Sequence, residues 1–274
     1  MTINCKGDLI DLTLPKVMGI LNTTPDSFYD GGKHSNEKQI LFHVERMLNE
    51  GATFIDVGAY SSRPNADYVS EEVELKRILP VVTLILKKFP EVLLSIDTFR
   101  SKVAKHCIEA GAAVINDISA GKLDENMLQT VANLHVPYIM MHMRGNPKTM
   151  QNQTLYDNLI QDLLFYFSQR IALATNLGIK DIIIDPGFGF AKTIDQNYAL
   201  LNKLTHFNII EKPLLVGVSR KSMIYKTLET TAKEALNGTS VLNTIALLKV
   251  ASILRVHDVK EATDCVKLVR SLNA

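Results

Sequence analysis

Cysteine is scarce and poorly placed for cross-linking. Cys5, Cys107 and Cys265 are far apart and odd in number, with no CxxC pair and no cysteine/histidine spacing suited to zinc. Reduced thiols in a cytoplasmic protein are the expectation. An excess of one charge is also lacking: 30 Lys and Arg stand against 29 Asp and Glu, for a formal charge of +1. No broad field recruits nucleic acid or an anionic membrane, so any anion must be bound locally. The first seven residues have no signal-peptide pattern, and no run of about 18 apolar residues could cross a bilayer. Linkers, low-complexity tracts and fixed-period repeats are absent too. The expectation is one domain over residues 1–274 with no nucleic-acid or membrane partner.

What is present is alternation. Short apolar runs at 17–21, 54–57, 93–96, 113–115, 137–141, 182–184, 214–218 and 253–256 have the character of buried parallel strands. Between them lie helical spacings, such as Leu159, Leu163, Phe167, Ile171 and Ala174, which put one apolar stripe on one face. Gly51, Gly111 and Gly178 supply helix stop signals. Pro80 falls inside the helical segment 71–89 and predicts a kink or a restart near Arg77. About eight strands fit an α/β barrel or an open doubly wound sheet. An open sheet gathers its polar residues at one switch point, whereas here they follow nearly every strand. The pattern favours a single (β/α)8 barrel with its site at the C-terminal strand ends.

The polar residues define candidate chemistry. Asn22 opens a loop carrying Phe28 and Asp30. Its amide oxygen suits Mg²⁺, and an Asx turn before Pro25 is the structural alternative. Ser61, Ser62, Arg63 and Pro64 form a hydroxyl- and guanidinium-bearing loop suited to phosphate oxygens, or simply an exposed loop. Asp56, at or within the end of its strand, fits a supporting role as well as a catalytic one. Asp97, Asn116 and Asp185 end three strands at the edge of a buried core, where an unpaired polar group costs ~1–3 kcal/mol. Either they cap the following helices, or they accept hydrogen bonds from a polar heterocycle with an amidine-like edge. Gly217 leaves room for a flat ligand, and Lys221 with Ser222 begins a helix able to take an anion. Arg255 and His257 share one face of an extended segment, at a spacing that suits a diphosphate. The other histidines, His142 among them, form no metal set and are expected on the surface or in the core.

Taken in order from about Leu14 to the C-terminus, these motifs closely resemble the dihydropteroate synthase family. They are Met18-Gly19-Ile20-Leu21-Asn22-Thr23-Thr24-Pro25-Asp26-Ser27-Phe28, Ser61-Ser62-Arg63-Pro64, Ser95-Ile96-Asp97-Thr98, Ile115-Asn116-Asp117, Asp185-Pro186-Gly187-Phe188-Gly189-Phe190, Ser219-Arg220-Lys221-Ser222 and Arg255-Val256-His257-Asp258. The resemblance implies a TIM-barrel homodimer of the folate pathway. Such an enzyme joins 6-hydroxymethyl-7,8-dihydropterin diphosphate to para-aminobenzoate with Mg²⁺, and sulfonamides compete with the arylamine. It further implies that Asp97, Asn116, Met140, Asp185, Gly217 and Lys221 hold the pterin. Asn22, Arg63, Arg255 and His257 then hold the diphosphate, with Asn22 also on the metal. Phe28, Ser62, Pro64, Phe190, Lys221 and Ser222 would form the arylamine pocket. Asn22, Asp30, Arg63, Lys221, Arg255 and His257 are the catalytic group by the same resemblance. Tyr60, Ser62 and Asn65 depart from the family's usual second loop. A corrinoid-dependent methyltransferase shares the pterin barrel but has no diphosphate, which the two anion sites argue against.

Overall fold

Two-residue alternation along the strands organises the molecule from the centre outward. The structure, a computed structural model, describes residues 1–23, 33–60 and 69–272, with side chains in the first helix from residue 36 onward. The chain opens with an antiparallel hairpin, β1 (Thr2–Cys5) and β2 (Asp8–Asp11), turned through Lys6 and Gly7 at positive φ. Strands and helices then alternate: β3 (Lys16–Asn22), α1 (Lys33–Asn49), β4 (Phe54–Gly58), α2 (Glu71–Lys88), β5 (Leu93–Asp97), α3 (Ser101–Glu109), β6 (Val114–Asp117) and α4 (Met127–Leu134). They continue as β7 (Tyr138–Met141), α5 (Leu159–Asn176), β8 (Ile182–Asp185), α6 (Ile194–Asn202), β9 (Leu215–Val216), α7 (Ser222–Tyr225), α8 (Leu236–Lys249), β10 (Ile253–Val256) and α9 (Val259–Leu272).

The eight strands after the hairpin run parallel in the order β8-β7-β6-β5-β4-β3-β10-β9. A bridge between Ile184 and Leu214, with Ile184 N–H donating to Pro213 O at 3.0 Å, joins the two ends of that order. The sheet thus curls into a TIM-like barrel. Outward-facing Ile55, Val57, Leu94, Ile96, Ile115, Ile184, Val216 and Leu254 pack with Val44, Ile78, Val82, Leu163 and Phe167 from the helices. Inward-facing Met18, Phe54, Val114, Ile139, Ile183, Leu215 and Ile253 form a separate plug near the N-terminal strand ends. Ile3, Cys5 and Leu12 complete that plug, so the hairpin floors the barrel. Asn4 N–H donates to Asp181 Oδ2 at 3.0 Å and Lys6 Nζ to Pro90 O at 3.0 Å, fixing the floor to two loops.

All eight strands expected from the apolar runs are present, whereas the hairpin went unread. The three glycine stops adopt φ of 101°, 109° and 91°, a region costly for other residues. Pro80 does not restart its segment: α2 is continuous from Glu71 to Lys88. The reason is local. Pro80 lies on the exposed side, where water can satisfy the carbonyl it strands, while buried Glu74, Ile78, Val82 and Ile85 hold the helix down on both sides of it.

Ile3 is 2% exposed. Ile3→Ala is expected to cost about 3 kcal/mol of unfolding free energy, read as a lower urea midpoint at constant slope. A loss under about 1 kcal/mol would mean that the hairpin is not part of the cooperative core.

Candidate active site

Two residues above the plug, the barrel's interior changes character. Inward Phe54 is followed by Asp56, Leu93 by Ser95, Val114 by Asn116, Ile183 by Asp185, Leu215 by Gly217 and Ile253 by Arg255. Each polar residue stands on the face of its apolar predecessor because the strand period is two. The result is a polar tier facing the open C-terminal mouth.

Arg255 is the tier's hub. Its Nε donates to Asp56 Oδ2 at 2.6 Å and its NH2 to Asp97 Oδ2 at 2.7 Å. Asp56, fully buried, also accepts from Ser95 Oγ at 2.6 Å and from Asn116 Nδ2 at 3.1 and 3.3 Å. Burial pulls the guanidinium down, but Asp56 and Asp97 more than offset it and leave Arg255 above its ordinary value. Burial pushes the Asp97 carboxyl up to about 7, against the pull of Arg255.

Asp185 and Lys221 form the opposite wall. Burial raises the Asp185 carboxyl, with Lys221 opposing, and Gly187 N–H donates to its Oδ1 at 2.8 Å. Burial lowers the Lys221 ammonium to about 8, with Asp185 opposing. Lys221 Nζ donates to Phe188 O and lies 5.0 Å from the Phe190 ring centroid. Ser222 starts α7, which is a single turn. At the rim, Ser219 Oγ and His257 Nδ1 are 3.0 Å apart, and Arg220 makes a paired contact with Asp258 at 2.7 and 2.8 Å. Asn22 is half-buried at the end of β3, in register with Gly58. A cavity of about 380 Å³ lies beside it, lined by Ile20, Asn22, Gln39, His43 and His257.

The structure thus brings together Asp97, Asn116, Asp185, Gly217, Lys221 and Arg255, with Asn22, Phe190, Ser222 and His257 around them. A Cβ on Gly217 would meet nothing nearer than Arg255 Cβ at 3.8 Å, so the space beside it is open. Phe28, Asp30, Ser62, Arg63, Pro64 and Asn65 lie outside the described residues. Met140 requires correction. It pairs with Asp117 and Ile184 and packs in the outer layer between strands and helices, whereas Met141 pairs with Asp185 on the inward face. A one-residue slip on a strand exchanges its faces, and two adjacent methionines give no signal to choose between them. Asp117, next to Asn116, points the other way. It faces outward and accepts from Tyr138 Oη, Ser119 N–H and Gly121 N–H.

Sequence reasoning missed one buried unit. Lys192 Nζ donates to Gly187 O at 3.0 Å and Phe190 O at 3.1 Å, and lies 3.1 Å from His142 Nδ1. Beside an ammonium this nitrogen is the acceptor, so the ring proton sits on Nε2. Burial, then Lys192, hold His142 well below its usual range, while burial lowers Lys192 to about 7. Together they staple the turn between Asp185 and Phe190. The pair is 50 residues apart in sequence, with no motif to announce it.

This is an α/β barrel whose mouth presents carboxylates and buried cations to a flat polar ligand and an anion. Residues 18–257 match the family of pterin binding enzymes. The chain is 43% identical over 273 residues to the dihydropteroate synthase of Escherichia coli strain K12, covering 99% of this chain and 96% of that relative. The Yersinia pestis dihydropteroate synthase, solved with a sulfonamide drug complex, superposes with a TM-score of 0.93 at 42% identity, covering 100% of this chain and 99% of that one. The Xanthomonas albilineans dihydropteroate synthase, solved with 4-aminobenzoic acid, gives 0.92 at 35%, covering 100% and 98%. The chain belongs to the pterin-binding enzyme family.

Two outcomes are expected at the turn. Gly187 sits at φ 73°, and a Cβ there would stand 2.2 Å from the His142 carbonyl oxygen. Gly187→Ala should therefore cost at least about 2 kcal/mol of stability. Lys192 has a folded value of about 7, below its ordinary 10.5, so between these the unfolded chain binds more protons. Stability should rise with pH across that window in the unaltered protein and rise less in Lys192→Met, where Lys221 keeps a lowered ammonium, measured as urea midpoints at pH 7 and about 9.5.

Proposed function

We propose that this chain transfers the dihydropterin-methyl group of 6-hydroxymethyl-7,8-dihydropterin diphosphate to para-aminobenzoate, giving 7,8-dihydropteroate and pyrophosphate. The observation that carries the reading is the polar tier itself: three oxygen acceptors and two cations converge at the mouth of a barrel that aligns end to end with dihydropteroate synthases. Asp97, Asn116 and Asp185 accept from the amino and ring N–H groups of the pterin, and Lys221 donates to its opposite edge. Met141 and Gly217 flank the ring.

Rupture of the methylene C–O bond sends its electron pair to the departing diphosphate and leaves positive charge on the pterin methylene. The electron-rich ring spreads that charge. In this reading Arg255 and His257, with Arg63 of the second loop, neutralise the leaving group's growing negative charge, and Asp30 of the first loop opposes the cation. The arylamine nitrogen then bonds to the methylene and releases its proton, so no protein nucleophile is needed. Phe190 and Ser222, with Phe28, Ser62 and Pro64, shape the arylamine pocket. Asn22 fits Mg²⁺ in donor type: it would offer the metal a neutral amide oxygen from a half-buried residue at the rim. When bound there, the metal supplies Lewis-acid neutralisation of the diphosphate. Assembly as a homodimer belongs to the same reading.

Incubation with Mg²⁺ and both substrates should release pyrophosphate and form dihydropteroate; an active-site-intact sample that does neither sinks the reading. Pterin binding should be tightest between about pH 7 and about 8. Below the first value Asp97 gains a proton and becomes a weaker, uncharged acceptor, and above the second Lys221 loses its charge and becomes a weaker donor. Isothermal titration across pH 5.5–9.5 in steps of about 0.5 checks this, a flat profile being the contrary result.

A further inference from the structure

The carboxylate of Asp56 lies at the centre of the tier and has no ligand to hold in the reading above. It accepts from Ser95 Oγ at 2.6 Å, Arg255 Nε at 2.6 Å and Asn116 Nδ2 at 3.1 and 3.3 Å. A carboxylate offers only lone pairs, so each neighbour must turn a donor toward it. Serine and arginine have no other choice at those atoms. Asparagine does, because its amide could rotate and exchange nitrogen for oxygen. Facing Asp56, the rotated amide would set oxygen against oxygen at about 3 Å in a buried place and forfeit its hydrogen bond.

We propose that Asp56 is a specificity-determining positioning residue. By holding Asn116 Nδ2 it makes Asn116 present its oxygen to the bound ring. Asn116 lies in register with Asp97 on the neighbouring strand. With that oxygen fixed, Asp97, Asn116 and Asp185 form a wall of acceptors. Such a wall selects a ring that turns an amino group toward it, as a 2-amino ring does, and disfavours the 2-oxo counterpart, which puts a carbonyl oxygen in the amino group's place. Asp56 thereby sets the polarity of recognition from beneath the site. The same carboxylate anchors Arg255, so ring selection and diphosphate contact share one support.

The inference rests on Asn116 being a ring residue, and the test separates the two. Isothermal titration of the full chain compares 6-hydroxymethylpterin with 6-hydroxymethyllumazine, its 2-oxo counterpart. The unaltered protein should prefer the 2-amino ring by ~100-fold or more. Asp56→Asn, which turns a donor toward Asn116 and frees its amide to rotate, should cut that preference by at least about tenfold. The reciprocal double variant Asp56→Asn/Asn116→Asp keeps the charge count and again places a donor against an acceptor. It should recover the preference to within about threefold of the unaltered protein. A merely structural Asp56 predicts that both ligands weaken alike in Asp56→Asn, and that result overturns the proposal. So does failure of the double variant to recover, in folding or in preference, and so does a preference below about tenfold in the unaltered protein. Binding of neither compound by the unaltered protein would strike the functional reading instead.

Discussion

One guanidinium inside the barrel ties the structure together. Arg255 reaches from β10 to a carboxylate on β4 and another on β5, across the inside of the sheet. Taking such charges out of water is costly, and their mutual attraction offsets the cost only if the geometry is held. The surrounding parts do the holding. Ser95 and Asn116 occupy the remaining lone pairs of Asp56. The apolar plug below, floored by the N-terminal hairpin, keeps the strands in the register that lets these groups meet. Residues that would touch a ligand are therefore also residues that hold one another, and removing Arg255 would leave two carboxylates without their counter-charge.

A second cluster repeats this logic on the opposite wall with cations in place of carboxylates. Lys192 is bound by two backbone carbonyls and His142, and Lys221 by the Phe188 carbonyl, so two lysines grip one turn from two sides. That turn carries Asp185 at one end and Phe190 at the other. The loops of the mouth are fastened at their ends in similar fashion. Thr23 donates backbone and side-chain groups to Gly58 O at 2.8 and 3.1 Å. Arg100, paired with buried Glu74, also holds the carbonyl of Val69 and lies over Tyr60, at the two borders of the second loop.

Much of this was legible in the sequence because it is periodic. Eight apolar runs, each ending in a polar residue or glycine, can hardly avoid placing Asp97, Asn116, Asp185, Gly217 and Arg255 around one mouth. What periodicity could not supply was a choice between like neighbours or knowledge of partners. Met140 and Met141 are chemically the same, so only the register with Asp185 shows which one faces inward. The strands of the hairpin are four residues each, too short for a pattern to stand out. Pro80 looked disruptive because its exposure, not its identity, decides the outcome. Lys192 and His142 acquire meaning only once folding brings them within 3.1 Å.

The hairpin floor has a consequence for traffic. With Ile3, Cys5 and Leu12 packed against the base of the barrel, the end away from the polar tier is closed by the described residues. Under the proposed reaction, the fused pterin must enter first because its seat is deepest, and the arylamine arrives above it. Pyrophosphate and the coupled product then compete for the threshold that the incoming molecules used. A vessel open at one end imposes queueing: an ordered sequence of arrivals, and departures in which the deepest occupant leaves last.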